Sequence, residues 1–314
     1  MRTRLFTILV GVVMLVAASP RAAEAAAGSQ SKTLKPSDGT STTSRVYVAL
    51  GDSIVAGYCG LFCRLDSYGV FHAQDVANGL DATVDYRGRA QSGEIMSQIA
   101  SRVASNASNI RAADYVVLEG CGNDFLNARS TYRGQSNCND ETVLASALDA
   151  CKTNMVKALD TIAANKKAGA KVRVMFLYYP GLADDRARTC GANTHFDIFL
   201  DYLLEAGWST CNEAWHRGFE CVDGLAAFNA ADVDTALDAD NLVDADQIRI
   251  NKATDQDNFP AYYNRVQPQR AILTDANTKR TSATTTVDYL QSDNTHPTTA
   301  GHHRLAAEHT AVGL

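Results

Sequence analysis

The chain has 314 residues, of which 46% are hydrophobic and 20% charged, with 35 acidic against 29 basic side chains. That is enough apolar material for one large α/β domain or two modest ones, and one is the simpler reading. The acidic balance argues against a nucleic-acid partner, whose phosphates need a basic face.

At the start, Arg2 and Arg4 precede an apolar run from Leu5 to Ala18, and Ala23-Glu24-Ala25 has the small-x-small pattern of a cleavage site. The run is too short for an ordinary membrane span. Residues 1–25 therefore read as a signal peptide, and the protein as secreted or periplasmic, without a transmembrane anchor in its mature form. No cysteine precedes Cys59, which excludes a lipid-anchored cysteine at the cleavage site. Cutting after Ala25 leaves 26 basic against 34 acidic residues, a net charge near −8. Residues 26–44 are polar and Ser/Thr-rich, so a flexible leader is expected before a domain over 45–314. A monomer is expected.

Strand candidates follow at 45–50, 83–87, 114–119 and 172–178, alternating with helix candidates at 67–79, 94–105, 142–166 and 298–311. Strand, helix, strand is the signature of crossover units feeding a parallel sheet covered on both faces, so the fold class is a three-layer α/β/α sandwich. Between about 183 and 285 the pattern weakens, and an irregular insertion near the site mouth is expected there. Its aspartates (Asp232, Asp234, Asp238, Asp240, Asp244, Asp246) lack the glycine and terminal Glu of an EF-hand loop, so a solvated acidic face is the better reading.

All eight cysteines lie after the cleavage site, which in an exported chain suggests disulfides. The short-range candidates are Cys59 with Cys63, a pair within Cys121, Cys138 and Cys151, and another within Cys190, Cys211 and Cys221. Zinc is the poorer reading, because paired Cys-x2-Cys knuckles and His-Glu-x-x-His are missing.

Four short stretches carry the chemistry. Gly51-Asp52-Ser53 ends the strand at 45–50, and the exit of a buried parallel strand is where ligands bind. A serine there is a poor nucleophile without an imidazole base, a group orienting that base and donors for a developing oxyanion. Asp293 stands three residues before His296, so a turn can fold its carboxylate onto the imidazole and fix the tautomer. Gly120-Cys121-Gly122-Asn123-Asp124 follows the strand at 114–119 and offers the Asn123 amide as an uncharged donor. Ser92-Gly93 follows the strand at 83–87 and offers a backbone N–H.

Those residues, in that order, resemble the SGNH, or GDSL, hydrolase superfamily, over roughly residues 45–312. The resemblance implies a flavodoxin-like sandwich, Ser53 as nucleophile, His296 as general base and acid, Asp293 as its orienting carboxylate, and the Ser53 N–H, Gly93 and Asn123 as oxyanion donors. It implies no cofactor and no metal. Cys121 replaces the glycine usual at its position, and Gly88 is a rival to Gly93. Each motif alone has a bland reading, as a turn or a helix cap; their joint order favours catalysis.

The function expected is therefore an exported serine hydrolase of carboxylic esters, of esterase or lipase type, acting on a small-molecule, lipid or glycan ester. One rival is a carbohydrate or peptidoglycan O-acetyl esterase, towards which the polar acidic insertion tilts slightly, since it suggests short acyl groups. The other is a non-catalytic exported glycan-binding protein on the same scaffold. Outside the motifs, His302, His303 and His309 read as solvated helix residues, while His195, Trp215, His216, Tyr178 and Tyr179 read as pocket or packing residues. Asp52 reads as a shaper of the nucleophile turn.

Overall fold

In the computed structural model the described residues are 28–60, 63–135, 138–190, 193–230, 248–273, 279–280, 286–287 and 289–314. The expected signal peptide, and all six aspartates named above, lie outside them.

Six strands form one sheet. They are β1 (Gln30–Leu34), β2 (Thr43–Gly51), β3 (Ala82–Ala90), β4 (Tyr115–Glu119), β5 (Lys171–Phe176) and, after a short β6–β7 hairpin (Thr189–Cys190 and Asn193–Thr194), β8 (Glu220–Asp223). The sheet order is β1-β3-β2-β4-β5-β8. All pairings are parallel except that of β1, which runs antiparallel to β3 with Gln30 opposite Gly88 and Leu34 opposite Val84. The stretch read as a flexible leader thus supplies an edge strand. Its alternating exposure, with Ser31 and Thr33 outward, suits a half-solvated edge and hid it among polar residues.

Two groups of helices cover the sheet. On one side α2 (Tyr68–Gly79) packs against the last helix, α12 (Thr299–Ala311); on the other α3 (Met96–Ser105), α6 (Thr142–Asn165) and α8 (His195–His216) pack in succession. The helix α6 buries Leu144, Leu148, Cys151, Met155, Leu159 and Ile162, a spacing of three and four that keeps one stripe facing inward. Residues Tyr47–Leu50 of β2 are wholly buried, as expected of a strand covered on both faces. Fully burying a side chain such as Leu50 contributes about 1.5–3 kcal/mol.

The expected insertion at 183–285 is in part framework. The helix α8 buries Phe196, Phe199, Leu200, Leu203 and Leu204 and starts on a capping box in which Thr194 and Asp197 satisfy each other's N–H groups. The strand β8 then pairs with β5 and completes the sheet. Smaller helices among the described residues include α4 (Ala107–Ala112), α7 (Leu182–Arg186), α9 (Gly224–Asn229), α10 (Lys252–Asp255) and α11 (Phe259–Val266). Among the described residues no helix is long and apolar enough to cross a membrane.

The strand order reverses at β2. The chain leaves β2 for β3 on one side and returns to β4 on the other, so the loops after β2, β3 and β4 diverge from one crevice at the carboxyl ends.

Candidate active site

The turn after β2 begins with Asp52, whose Oδ1 accepts the Ile54 N–H at 3.0 Å and caps the one-turn helix α1 (Ser53–Ala56). Ser53 is its first residue, where a backbone N–H has no intrahelical acceptor. Gly57 closes the turn at φ 69°, and a Cβ there would stand 2.2 Å from the Leu65 carbonyl oxygen, so only glycine fits. The Tyr58 N–H donates to the Ser53 carbonyl at 3.0 Å, and the Cys59–Cys63 disulfide closes the loop beyond.

On the other wall, residues 290–297 fold into a tight turn bridged between Leu290 and Pro297. The Gln291 N–H donates to the His296 carbonyl at 2.8 Å, and Asn294 takes a left-handed φ of 57°. That turn places Asp293 beneath His296. Its Oδ1 accepts the His296 and Thr295 N–H groups, both at 3.0 Å, and its Oδ2 lies 2.6 Å from His296 Nδ1. Burial raises the Asp293 carboxyl, but these hydrogen bonds outweigh it and hold the group below its usual range. With Nδ1 so occupied, His296 Nε2 faces Ser53 Oγ at 2.9 Å. Gln291 Nε2 donates both to the Tyr58 carbonyl and to the Pro297 carbonyl, tying the two turns together, and the Tyr58 ring lies 4.5 Å from the imidazole.

The third wall comes from the loops after β3 and β4. Gly93 sits in the loop after β3 at φ 80°, whereas Gly88 lies inside β3, paired with Gln30 and Ala49. Asn123 is in the first turn of α5 (Gly122–Arg133), a helix not anticipated from the sequence. Cys121 caps that helix at φ 73°, so it keeps the left-handed path a glycine would take, at a cost of roughly 1–2 kcal/mol. Its disulfide to Cys151 anchors the start of α5 to α6. Asp124 Oδ2 accepts the Met96 N–H at 2.7 Å and joins this loop to α3, and burial pushes its carboxyl up to about 6. Asn123 Nδ2 donates to the Glu94 carbonyl at 3.0 Å and to Asp52 Oδ2 at 3.1 Å, so both amide protons are engaged in the resting site.

Ser53, His296, Asp293 and Asn123 therefore converge, Gly93 stands next to the Glu94 whose carbonyl holds Asn123, and Asp52 shapes the nucleophile turn as expected. Asp52 touches Ser53, Ile54 and Asn123 at once. Glu119, the last residue of β4, is wholly buried behind it. A small apolar pocket of about 30 Å³ opens next to the serine turn, between Ile54, Phe125, Leu126, Leu177, Phe199 and Leu203. The spacing of Phe125 and Leu126 after Asn123, and of Phe199 and Leu203, was the available signal.

Other candidates lie elsewhere. His195 packs on Tyr132 with Nε2 3.2 Å from Cys138 Sγ, and His216 pairs with Asp257 at the surface. Tyr178 lines the apolar pocket and donates to the Thr295 carbonyl, while Tyr179 is buried against Asp185. His302 and His309 are fully buried, not solvated: they face inward from α12 and meet Tyr68 of α2. His303 stacks on Phe71. Disulfides join Cys59–Cys63, Cys121–Cys151 and Cys211–Cys221, and Cys138 is oxidised as well. Among the described residues no group of three or more His, Cys, Asp or Glu could hold a metal ion.

A serine hydroxyl, an imidazole and a carboxylate in hydrogen-bonded series, at the carboxyl ends of a mostly parallel sheet, are the apparatus of a hydrolase. The chain belongs to the GDSL-like Lipase/Acylhydrolase family, whose sequence pattern matches residues 47–309. Its fold is similar to that of the lipase Lip_vut3 from a goat rumen metagenome, at 18% identity and a TM-score of 0.58 over 86% of this chain and 97% of that one. Weaker matches are the extracellular lipase of Streptomyces rimosus (18% identity, TM-score 0.45, 70% of this chain and 99% of that one) and phospholipase A1 of Streptomyces albidoflavus NA297 (21%, 0.43, 59% and 81%). No curated protein matches the chain significantly. Membership of that family makes it a hydrolase.

Proposed function

We propose that the protein is an exported serine hydrolase that cleaves carboxylic esters with acyl groups larger than acetyl, through an acyl-enzyme on Ser53. The observation that carries this is the 2.9 Å approach of His296 Nε2 to Ser53 Oγ, with Asp293 behind the ring and an apolar pocket beside it. Ser53 Oγ attacks the ester carbonyl while His296 takes its proton. The tetrahedral oxyanion is held by the Ser53 and Gly93 N–H groups and by Asn123, which turns one amide proton away from Asp52 or Glu94 to reach it. His296 then protonates the leaving alkoxide as the carbonyl–oxygen bond breaks. Water, deprotonated by the same ring, releases the acid and restores the serine.

The pocket outweighs the tilt towards acetyl groups that the acidic segment suggested, because a pocket walled by Ile54, Leu126, Phe199 and Leu203 gains affinity with each buried methylene. Export is supported by the disulfides, which persist in oxidising compartments. The test is a series of p-nitrophenyl esters from acetate to palmitate, with acetylated glycans alongside. Activity should peak above acetate and vanish in Ser53→Ala. A Ser53→Ala protein as active as the parent would defeat the proposal, and a preference for acetylated glycan would move the substrate to polysaccharide.

A further inference from the structure

Behind the nucleophile lies a buried acidic pair that the route above does not use. Asp52 and Glu119 are 2% and 0% exposed, at the ends of the adjacent strands β2 and β4. The Asp52 N–H is 3.4 Å from Glu119 Oε2, and the two carboxyl groups lie in hydrogen-bonding contact. Glu119 Oε1 meets no N–H or hydroxyl donor among the described residues. A Cβ on Gly51 would come within 2.8 Å of Glu119 Oε2, so the glycine of the nucleophile motif leaves the room this carboxyl fills.

Two carboxylates in contact in a buried site cannot both be ionised. The surroundings decide which of them holds the proton. Asp52 accepts from the Ile54 N–H at 3.0 Å and Asn123 Nδ2 at 3.1 Å, whereas Glu119 has only the long contact from the Asp52 N–H. The other ionisable groups facing the pair are the His296 ring, which favours a charge on Asp52 when it is protonated, the Asp124 carboxyl, and the hydroxyls of Tyr68 and Tyr178, which burial keeps neutral. Burial and the Asp52 charge both push the Glu119 carboxyl well above its usual range.

We propose that Glu119 is a positioning residue: a carboxylic acid at neutral pH whose O–H donates to Asp52, orienting that carboxylate against Ser53 and Asn123 and weakening its hold on the Asn123 amide. A fully charged, otherwise unshared carboxylate would bind Asn123 Nδ2 tightly and keep the amide from the oxyanion. An acceptor already shared with the Glu119 proton lets it go. This rests on the function proposed above.

The test compares Glu119→Gln, whose amide still donates to Asp52, with Glu119→Leu, which does not. Glu119→Gln should keep kcat within about threefold of the parent, while Glu119→Leu should lose about thirtyfold or more in kcat with KM little changed, as for an interaction realised in the transition state. Independently of turnover, infrared difference spectra at pH 8 should show a carboxylic-acid C=O band in the parent that disappears in Glu119→Gln. The proposal is overturned if that band is missing from the parent, if Glu119→Gln is as impaired as Glu119→Leu, or if Glu119→Leu is fully active. If Glu119→Leu does not fold, the Glu119→Gln kinetics and the band decide it. A parent protein inactive on every ester would end the function proposed above yet leave the band to report on the proton.

Discussion

His302 offers a sharp test of how α12 is seated. Its ring is wholly buried, Nδ1 accepts the Tyr68 N–H at 3.2 Å, and Nε2 has no partner among the described residues. Burial, with lesser repulsion from His296 and His303, lowers its pKa from 6.5 to about 3. A group whose folded pKa lies below its unfolded value binds more protons when unfolded, so its contribution is full above about pH 6.5 and is lost as pH falls towards 3. Between pH 8 and pH 5 that loss amounts to about 2 kcal/mol. Buried groups with raised pKa values, such as Asp124 and Asp223, act in the opposite sense, so the pH slope of the parent alone mixes several terms. A variant isolates this one. His302→Asn keeps an acceptor towards Tyr68 and loses volume, so at pH 8 it should be less stable than the parent by about 1–3 kcal/mol. At pH 5 the parent has lost its share and the variant has not, so the deficit should shrink by about 2 kcal/mol. Urea unfolding of both proteins at the two pH values measures this. An equal deficit at pH 8 and pH 5 would refute the reasoning.

Two further outcomes are expected. Asn123→Ala should lower kcat by about 10²- to 10³-fold while the protein stays folded, as for loss of one oxyanion donor; steady-state rates with a circular dichroism control test it. Leu126 is half-buried on the wall of the apolar pocket. Leu126→Trp should therefore reduce kcat/KM on octanoate about tenfold or more relative to acetate, a loss typical of a few displaced methylenes, and an unchanged chain-length profile would show that acyl chains do not lie there.

The four motifs were legible because each is local: a strand exit, a glycine turn, a helix start and a three-residue Asp–His turn. The strands β2, β4 and β5, with buried apolar runs, and β3, with its period-two alternation, were legible for the same reason. What escaped notice depends on distant partners. Gln30–Leu34 has the composition of a linker and becomes a strand only because β3 presents an open edge. The helix α8 carries a readable stripe from Phe196 to Leu204, but the polar segments around it masked the period. His302 and His309 looked solvated on a helix with little amphipathic contrast, and only the packing of α2 against α12 turns them inward. Glu119 reads as one more strand residue until β2 sets Asp52 beside it. Cys121 stands where a glycine is usual, and its left-handed φ keeps the backbone path that glycine would take.

The most direct test of the account is covalent labelling of the serine. A fluorophosphonate probe should modify one residue, and peptide mapping should place the label on Ser53. Labelling should be absent in Ser53→Ala and strongly slowed in His296→Ala, since without its base the hydroxyl is a weak nucleophile. Labelling that persists in Ser53→Ala, or that is as fast in His296→Ala as in the parent, would contradict the account.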